Sequence, residues 1–149
     1  MPARCLETEE CNTRLQLEEN ANPKLKSPLA LAFLGDAVFE LMVREYLSRQ
    51  GNMPAHTLHV KAVTMVRCSA QAKAAGLIAP LLTEEETAIY KRGRNANSTT
   101  VPKNATPADY RAATGLETLF GYLHLKGEHG RIQTLFDMIC AQLTEPEQA

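Results

Sequence analysis

One stretch constrains the rest of the chain: Ser27 to Gln50, SPLALAFLGDAVFELMVREYLSRQ. Ser27 is a natural N-cap, and Pro28 suits the first helical position, where its missing N–H costs nothing. Gly51 is a natural stop after Gln50. Between these ends Leu29, Leu31, Phe33, Leu34, Val38, Phe39, Leu41, Met42, Val43, Tyr46 and Leu47 put apolar side chains on almost every side. A helix apolar all round, yet too short of uninterrupted apolar residues to span a membrane, is expected in the middle of a core. Asp36, Glu40 and Arg44 interrupt it at i, i+4 and i+8, on one stripe. A carboxylate on a buried helix needs a partner or a purpose.

The remaining sequence reads as more helices. Leu58, Ala62, Val63 and Val66 have helical spacing from Ala55 onward, and Ala70 to Leu82 forms a second, alanine-rich segment. Thr83 followed by Glu86 is a capping box opening a helix through about Arg94. RNANSTTVPKNATP is a loop by composition. Thr106 caps a helix that Pro107 begins and that runs to Gly127, and a last amphipathic helix covers Arg131 to Leu143. No segment alternates with strand period. The expected fold class is all-α, a compact helical bundle. At 149 residues it is one domain of ordinary size. Residues 1–26 read as a polar, poorly ordered extension with one weak turn at Leu15 to Glu19, residues 27–143 as the domain, and 144–149 as a tail.

Net charge is −1, but it is unevenly spread: His56 to Asn104 carries +4 and Ala105 to Ala149 carries −3. Four cysteines form no C-x-x-C and no zinc-spaced cluster, so free thiols in a reducing cytosol are expected. No targeting segment or membrane span is legible.

A second acid sits in an apolar helix. GLETLFGYLHL contains Glu117, with Ala113 one turn before it and Gly121 one turn after, much as Ala32 and Gly35 stand beside Asp36. Small residues around a lone acid let two helix backbones approach closely. Two readings stay open at this point. Asp36 and Glu117 are separately satisfied by arginines or backbone groups, or they are brought together, where mutual repulsion favours a proton or a divalent cation. Glu40 reads as a structural partner of Arg44. His56 and His59 read as surface or capping residues, and His124 as either packing or close to the site.

The basic segment KRGRNANSTTVPKN supplies Lys91, Arg92, Arg94 and Lys103 with no acid, and Asn95 and Asn104 among its short polar groups. Cations for phosphate with short polar side chains for phosphate and sugar oxygens suit backbone reading of nucleic acid. Few aromatics argue against single-strand stacking and for duplex RNA. A solvated loop explains the same composition. Lys61, Arg67 and Lys73 on the preceding helical region extend the cationic surface or are plainly solvent-exposed.

LAFLGDAVFEL resembles the signature helix of the ribonuclease III catalytic domain, and GLETLFGYLHLKG resembles that domain's second metal-binding helix. With KRGRNANSTTVPKNA between them, the chain from about Pro28 to Leu143 resembles Mini-ribonuclease III, the family that has the catalytic domain alone. The resemblance implies a homodimeric, cytoplasmic, Mg²⁺-dependent endoribonuclease of double-stranded RNA. Its substrate would be the 23S ribosomal RNA precursor, with a large-subunit ribosomal protein as helper. It implies Asp36 and Glu117 as the catalytic metal ligands. Lys73, Lys91, Arg92, Arg94, Asn95, Lys103 and Asn104 are the expected RNA-binding residues. Ribonuclease III proper has acids where this chain has Leu29, Ala32 and Thr114, a thinning that Mini-ribonuclease III shares. Water, RNA phosphate or Thr114 would replace those acids. With no double-stranded RNA-binding domain expected after Leu143, substrate choice would fall to the catalytic dimer's surface. The rival reading is a non-catalytic dimeric RNA-binding or ribosome-assembly module with the same fold.

Overall fold

Side-chain caps start three of the helices. In the computed structural model, which describes residues 22–96 and 101–143, the Ser27 hydroxyl accepts the Ala30 N–H at 3.1 Å and opens α1 (Pro28–Arg49). Thr83 and Glu86 exchange both bonds of the capping box, at 3.2 and 2.9 Å, and open α4 (Glu84–Arg94). The Thr106 hydroxyl accepts the Asp109 N–H at 3.1 Å and opens α5 (Pro107–Leu125). Between α1 and α4 lie α2 (Ala55–Val66), α3 (Cys68–Ile78) and a 3₁₀ turn, Ala79–Leu81. A second such turn, Pro23–Leu25, precedes α1, and α6 (His129–Leu143) closes the series. No strand occurs among the described residues. The expected turn at Leu15 to Glu19, the tail from residue 144 and residues 97–100 of the basic loop lie outside them.

Two boundaries differ from the sequence reading. The break between α2 and α3 falls at a single extended residue, Arg67, with ψ 154°, which neither Gly nor Pro announces. The last helix begins at His129, two residues earlier than expected. Gly127 at φ +80° ends α5, with Gly127 N–H bonding the His124 carbonyl and Glu128 N–H the Leu123 carbonyl, a Schellman ending.

The central rod is α5 and not α1. Ten of the nineteen α5 residues are buried against seven of the twenty-two in α1. Helix α5 packs against α1, α3, α4 and α6, whereas α1 leaves Leu29, Phe33 and Leu41 exposed at 45%, 85% and 58%. Those residues share an i, i+4 spacing with exposed Ala37, so the apolar surplus that suggested all-round burial is an outward stripe. Inside, Phe39 meets Phe120 and Phe136 at ring-centroid distances of 5.6 and 5.9 Å. Val43, Leu116, Leu119, Leu135 and Ile139 fill the space around them. The Arg131 guanidinium clamps Glu86 at 2.8 and 2.9 Å and also bonds the Leu81 carbonyl, tying α6 to the start of α4.

Candidate active site

Where α1 crosses α5, the two backbones touch. A Cβ on Gly35 would stand 1.6 Å from the Glu117 carbonyl oxygen, and one on Gly121 would stand 2.0 Å from the Leu31 carbonyl oxygen. Only glycine at both points permits this approach. Thr118, fully buried, fixes it with a hydroxyl that bonds the Thr114 carbonyl at 2.7 Å and reaches the Pro28 carbonyl at 3.2 Å. The residue after Gly35 is Asp36, and Glu117 itself lies at the contact. The two acids share one electrostatic neighbourhood, since the charge of Asp36 acts on the Glu117 carboxyl.

That neighbourhood is hostile to two negative charges. Burial, and then the charge of Asp36, push the Glu117 carboxyl up to about 7. Burial, and then Glu40, raise Asp36 as well, although it sits on the exposed rim. Opposing the shift at Glu117 is a hydrogen bond from Gln71, a side chain of α3 that is only 2% exposed. Cys68, at the start of the same helix, is raised by burial and by the nearby charges of Asp109 and Glu117. Glu40 is held by Arg44 at 2.9 Å, one helical turn away, as its spacing suggested.

A divalent cation fits this donor set. Two carboxylates that resist joint ionisation are relieved by a positive charge between them, and Mg²⁺ commonly takes one or two protein carboxylates while keeping several waters. Among the described residues no group of three or more His, Cys, Asp and Glu side chains converges as a fuller ligand set. Thr114, buried one turn before Glu117, commits its hydroxyl hydrogen to the Tyr110 carbonyl at 2.9 Å within its own helix. His124 is exposed at the end of α5, its ring edge-on to His129 at 5.0 Å.

Three of the expected cations, Lys91, Arg92 and Arg94, share the last turn of α4. Lys91 and Arg92 are exposed on its last turn, and Arg92 reaches the Lys26 carbonyl at 3.3 Å. The Arg94 guanidinium stands 5.9 Å from the Tyr90 ring centroid and its Nε donates to Asn95 at 3.4 Å. Arg94 and Asn95 line a pocket of about 410 Å³ with Tyr110, Arg111 and Thr114, and among the described residues no acid lines it. Lys103 and Asn104 are exposed in the turn before α5, and Lys73 is exposed on α3.

The ribonuclease III domain model matches residues 29–128, which include both acids and the loop between them. Proteins named Mini-ribonuclease 3 match over most of the chain. That of a Thermoanaerobacter species is 46% identical over 75% of this chain and 79% of its own length. That of Enterococcus faecalis is 43% identical over 80% and 92%. The chain belongs to the Mini-ribonuclease 3 family. A crystal structure of a Fusobacterium nucleatum protein superposes with a TM-score of 0.71 at 34% identity, covering 76% of this chain and 92% of that one. The molecule is thus a nuclease of the ribonuclease III class on an all-α frame.

In this chain, two residues near these groups escaped sequence reasoning. Gln71 lies in an alanine-rich segment where nothing marks it as buried beside an acid. Arg111 lies beyond the basic loop in sequence, and only the packing of α5 on α4 returns it to the Arg94 pocket. A cation one turn inside a helix that starts beside a basic loop was the available signal.

Proposed function

We propose that the chain is an endoribonuclease that cuts double-stranded RNA by cation-assisted phosphodiester hydrolysis, and that it matures the 23S ribosomal RNA precursor. The observation that carries this reading is the meeting of Asp36 and Glu117 at the glycine-lined crossing, in a chain of this family. Asp36 and Glu117 would hold Mg²⁺. When bound, the ion supplies positive charge at the scissile phosphate and acidifies water, the two things hydrolysis of a phosphodiester needs. The protein's own part is to hold the two carboxylates near one another on packed helices, where their resistance to joint ionisation favours a bound cation. Lys73, Lys91, Arg92, Arg94 and Lys103, with Asn95 and Asn104, would position the duplex through phosphate and sugar contacts.

The outward stripe of Leu29, Phe33 and Leu41 supports a homodimer, since an exposed apolar row on an otherwise packed helix suits a subunit interface. Two subunits give two sites, one for each RNA strand. Residues 27–143 would form the catalytic unit, acting in the cytoplasm with a large-subunit ribosomal protein presenting the precursor. Among the described residues no helix is long and apolar enough to cross a membrane.

The test is cleavage of a synthetic RNA duplex and of a 23S precursor fragment with Mg²⁺, and with the metal chelated as control. Asp36→Asn is expected to abolish cutting while the fold and duplex binding survive. Wild-type cutting by that variant would remove Asp36 from the reaction. Duplex binding without cutting by the unaltered chain would favour the assembly-module reading.

A further inference from the structure

The buried amide of Gln71 has no part in the reading above, and its placement is unusual. It stands on α3 at 2% exposure, where α3 packs on α5, and it acts on the Glu117 carboxyl by holding it down against the effect of burial. Burying a glutamine in place of an apolar residue of similar volume is costly unless its polar atoms are paired. Among the described residues no buried side-chain nitrogen or oxygen lacks a partner. An ionised carboxylate only accepts hydrogen bonds, so in this pair the Gln71 amide N–H donates and the Glu117 oxygen accepts.

The chemistry of the donor matters. An arginine or lysine at this position would neutralise Glu117 and compete with a cation for it. A neutral amide fixes one carboxylate oxygen and leaves the negative charge in place. Partners behind a metal ligand commonly orient it in this way, and their loss typically costs 10–100-fold in metal affinity or activity. Cys68, three residues earlier and also beside Glu117, offers only a weak S–H donor.

We propose that Gln71 is a positioning residue, whose buried amide holds the Glu117 carboxylate toward Asp36 in the orientation that receives the divalent cation. The inference rests on the cation-assisted reading above. It adds a third helix, α3, to a site otherwise built by α1 and α5.

The variant that tests it is Gln71→Met, which keeps volume and helix propensity and removes the donor. Three quantities are read. Titration calorimetry with Mg²⁺ on the RNA-free protein should show affinity reduced about tenfold or more. Turnover of a synthetic duplex should fall at limiting Mg²⁺ and recover as Mg²⁺ is raised, with KM for the duplex unchanged. In the unaltered protein, the Gln71 side-chain amide signals in a ¹⁵N–¹H spectrum should move when Glu117 is changed to Gln. Folded Gln71→Met protein with unchanged Mg²⁺ affinity overturns the proposal. If Gln71→Met does not fold, the amide signals decide: their indifference to Glu117→Gln overturns it, and their displacement supports it. An unaltered chain that binds no Mg²⁺ and cuts no duplex defeats the underlying functional reading instead. An unaltered chain that does both, beside a Gln71→Met protein that matches it, defeats only the role of Gln71.

Discussion

Glu117 shows how one residue links stability to function. Its carboxyl is raised from the ordinary 4.5 to about 7, by burial first and by Asp36 second. The folded chain therefore holds a proton there that the unfolded chain has already released. Without a cation, stability contributed by the protonated form is fully present below about 4.5 and is lost as pH rises to about 7. Glu117→Gln removes that dependence. It is expected to stabilise the metal-free protein by about 2 kcal/mol at pH 8 and to leave it nearly unchanged at pH 4.5, as read by urea unfolding in chelator. The same variant is expected to abolish cleavage. Equal stabilisation at both pH values would mean that the carboxyl is not the group responsible. At limiting Mg²⁺ the cleavage rate should climb through neutral pH, because a proton and the cation compete for one carboxylate.

Between helices, contacts are decided by very few atoms. Gly35 is the clearest case, since a single methyl there would overlap the backbone oxygen of Glu117, which cannot rotate away as a side chain would. Gly35→Ala must separate α1 from α5 across the most extensive helix contact of the fold. The cost is expected to exceed about 3 kcal/mol, in the range of overpacked cores and above, with cleavage lost even where protein remains folded. Thermal unfolding beside a nuclease assay checks both. The α4–α6 contact depends on polar groups instead. Burial raises Glu86, but its bonds from Arg131 and from the Thr83 backbone outweigh that and hold its carboxyl below the usual range. Glu86→Ala removes a helix cap and takes from half-buried Arg131 its salt-bridge carboxylate, for an expected loss of about 3 kcal/mol in urea unfolding. This lies away from Asp36 and Glu117 in the sequence and in role, so turnover by the folded fraction should persist.

The whole molecule has an inward and an outward apolar surface. The inward one is the phenylalanine cluster of Phe39, Phe120 and Phe136. The outward one is the α1 stripe headed by Phe33, the most exposed large apolar side chain among the described residues. Asp36 lies on the exposed rim of that same helix. On the proposed dimer reading, Phe33→Asp is expected to sediment as a monomer at micromolar concentration where the unaltered chain sediments as a dimer, with little change in the stability of the fold. Loss of coordinated cutting of both strands should accompany it. A variant that sediments as the unaltered chain does would place the interface elsewhere.

Much was legible before any coordinates. Ser27, Thr83 and Thr106 mark helix starts because a cap is a local event, decided within four residues of chain. Asp36 and Glu117 stood out for a related reason: an acid in an apolar helical run, flanked by small residues, is anomalous in one dimension. The all-α class followed from helical spacing and the absence of strand period. Other features required the third dimension. The direction faced by Leu29, Phe33 and Leu41 depends on what packs against α1, and composition alone cannot tell an inward stripe from an outward one. The burial of Gln71 and the return of Arg111 to Arg94 depend on contacts between residues far apart in sequence. The sequence by itself singled out Asp36 and Glu117 as candidates, because their anomaly is local. Only the tertiary structure decided that Gly35 and Gly121 bring α1 and α5 into backbone contact, and so which carboxylates share one charge environment and what holds them there.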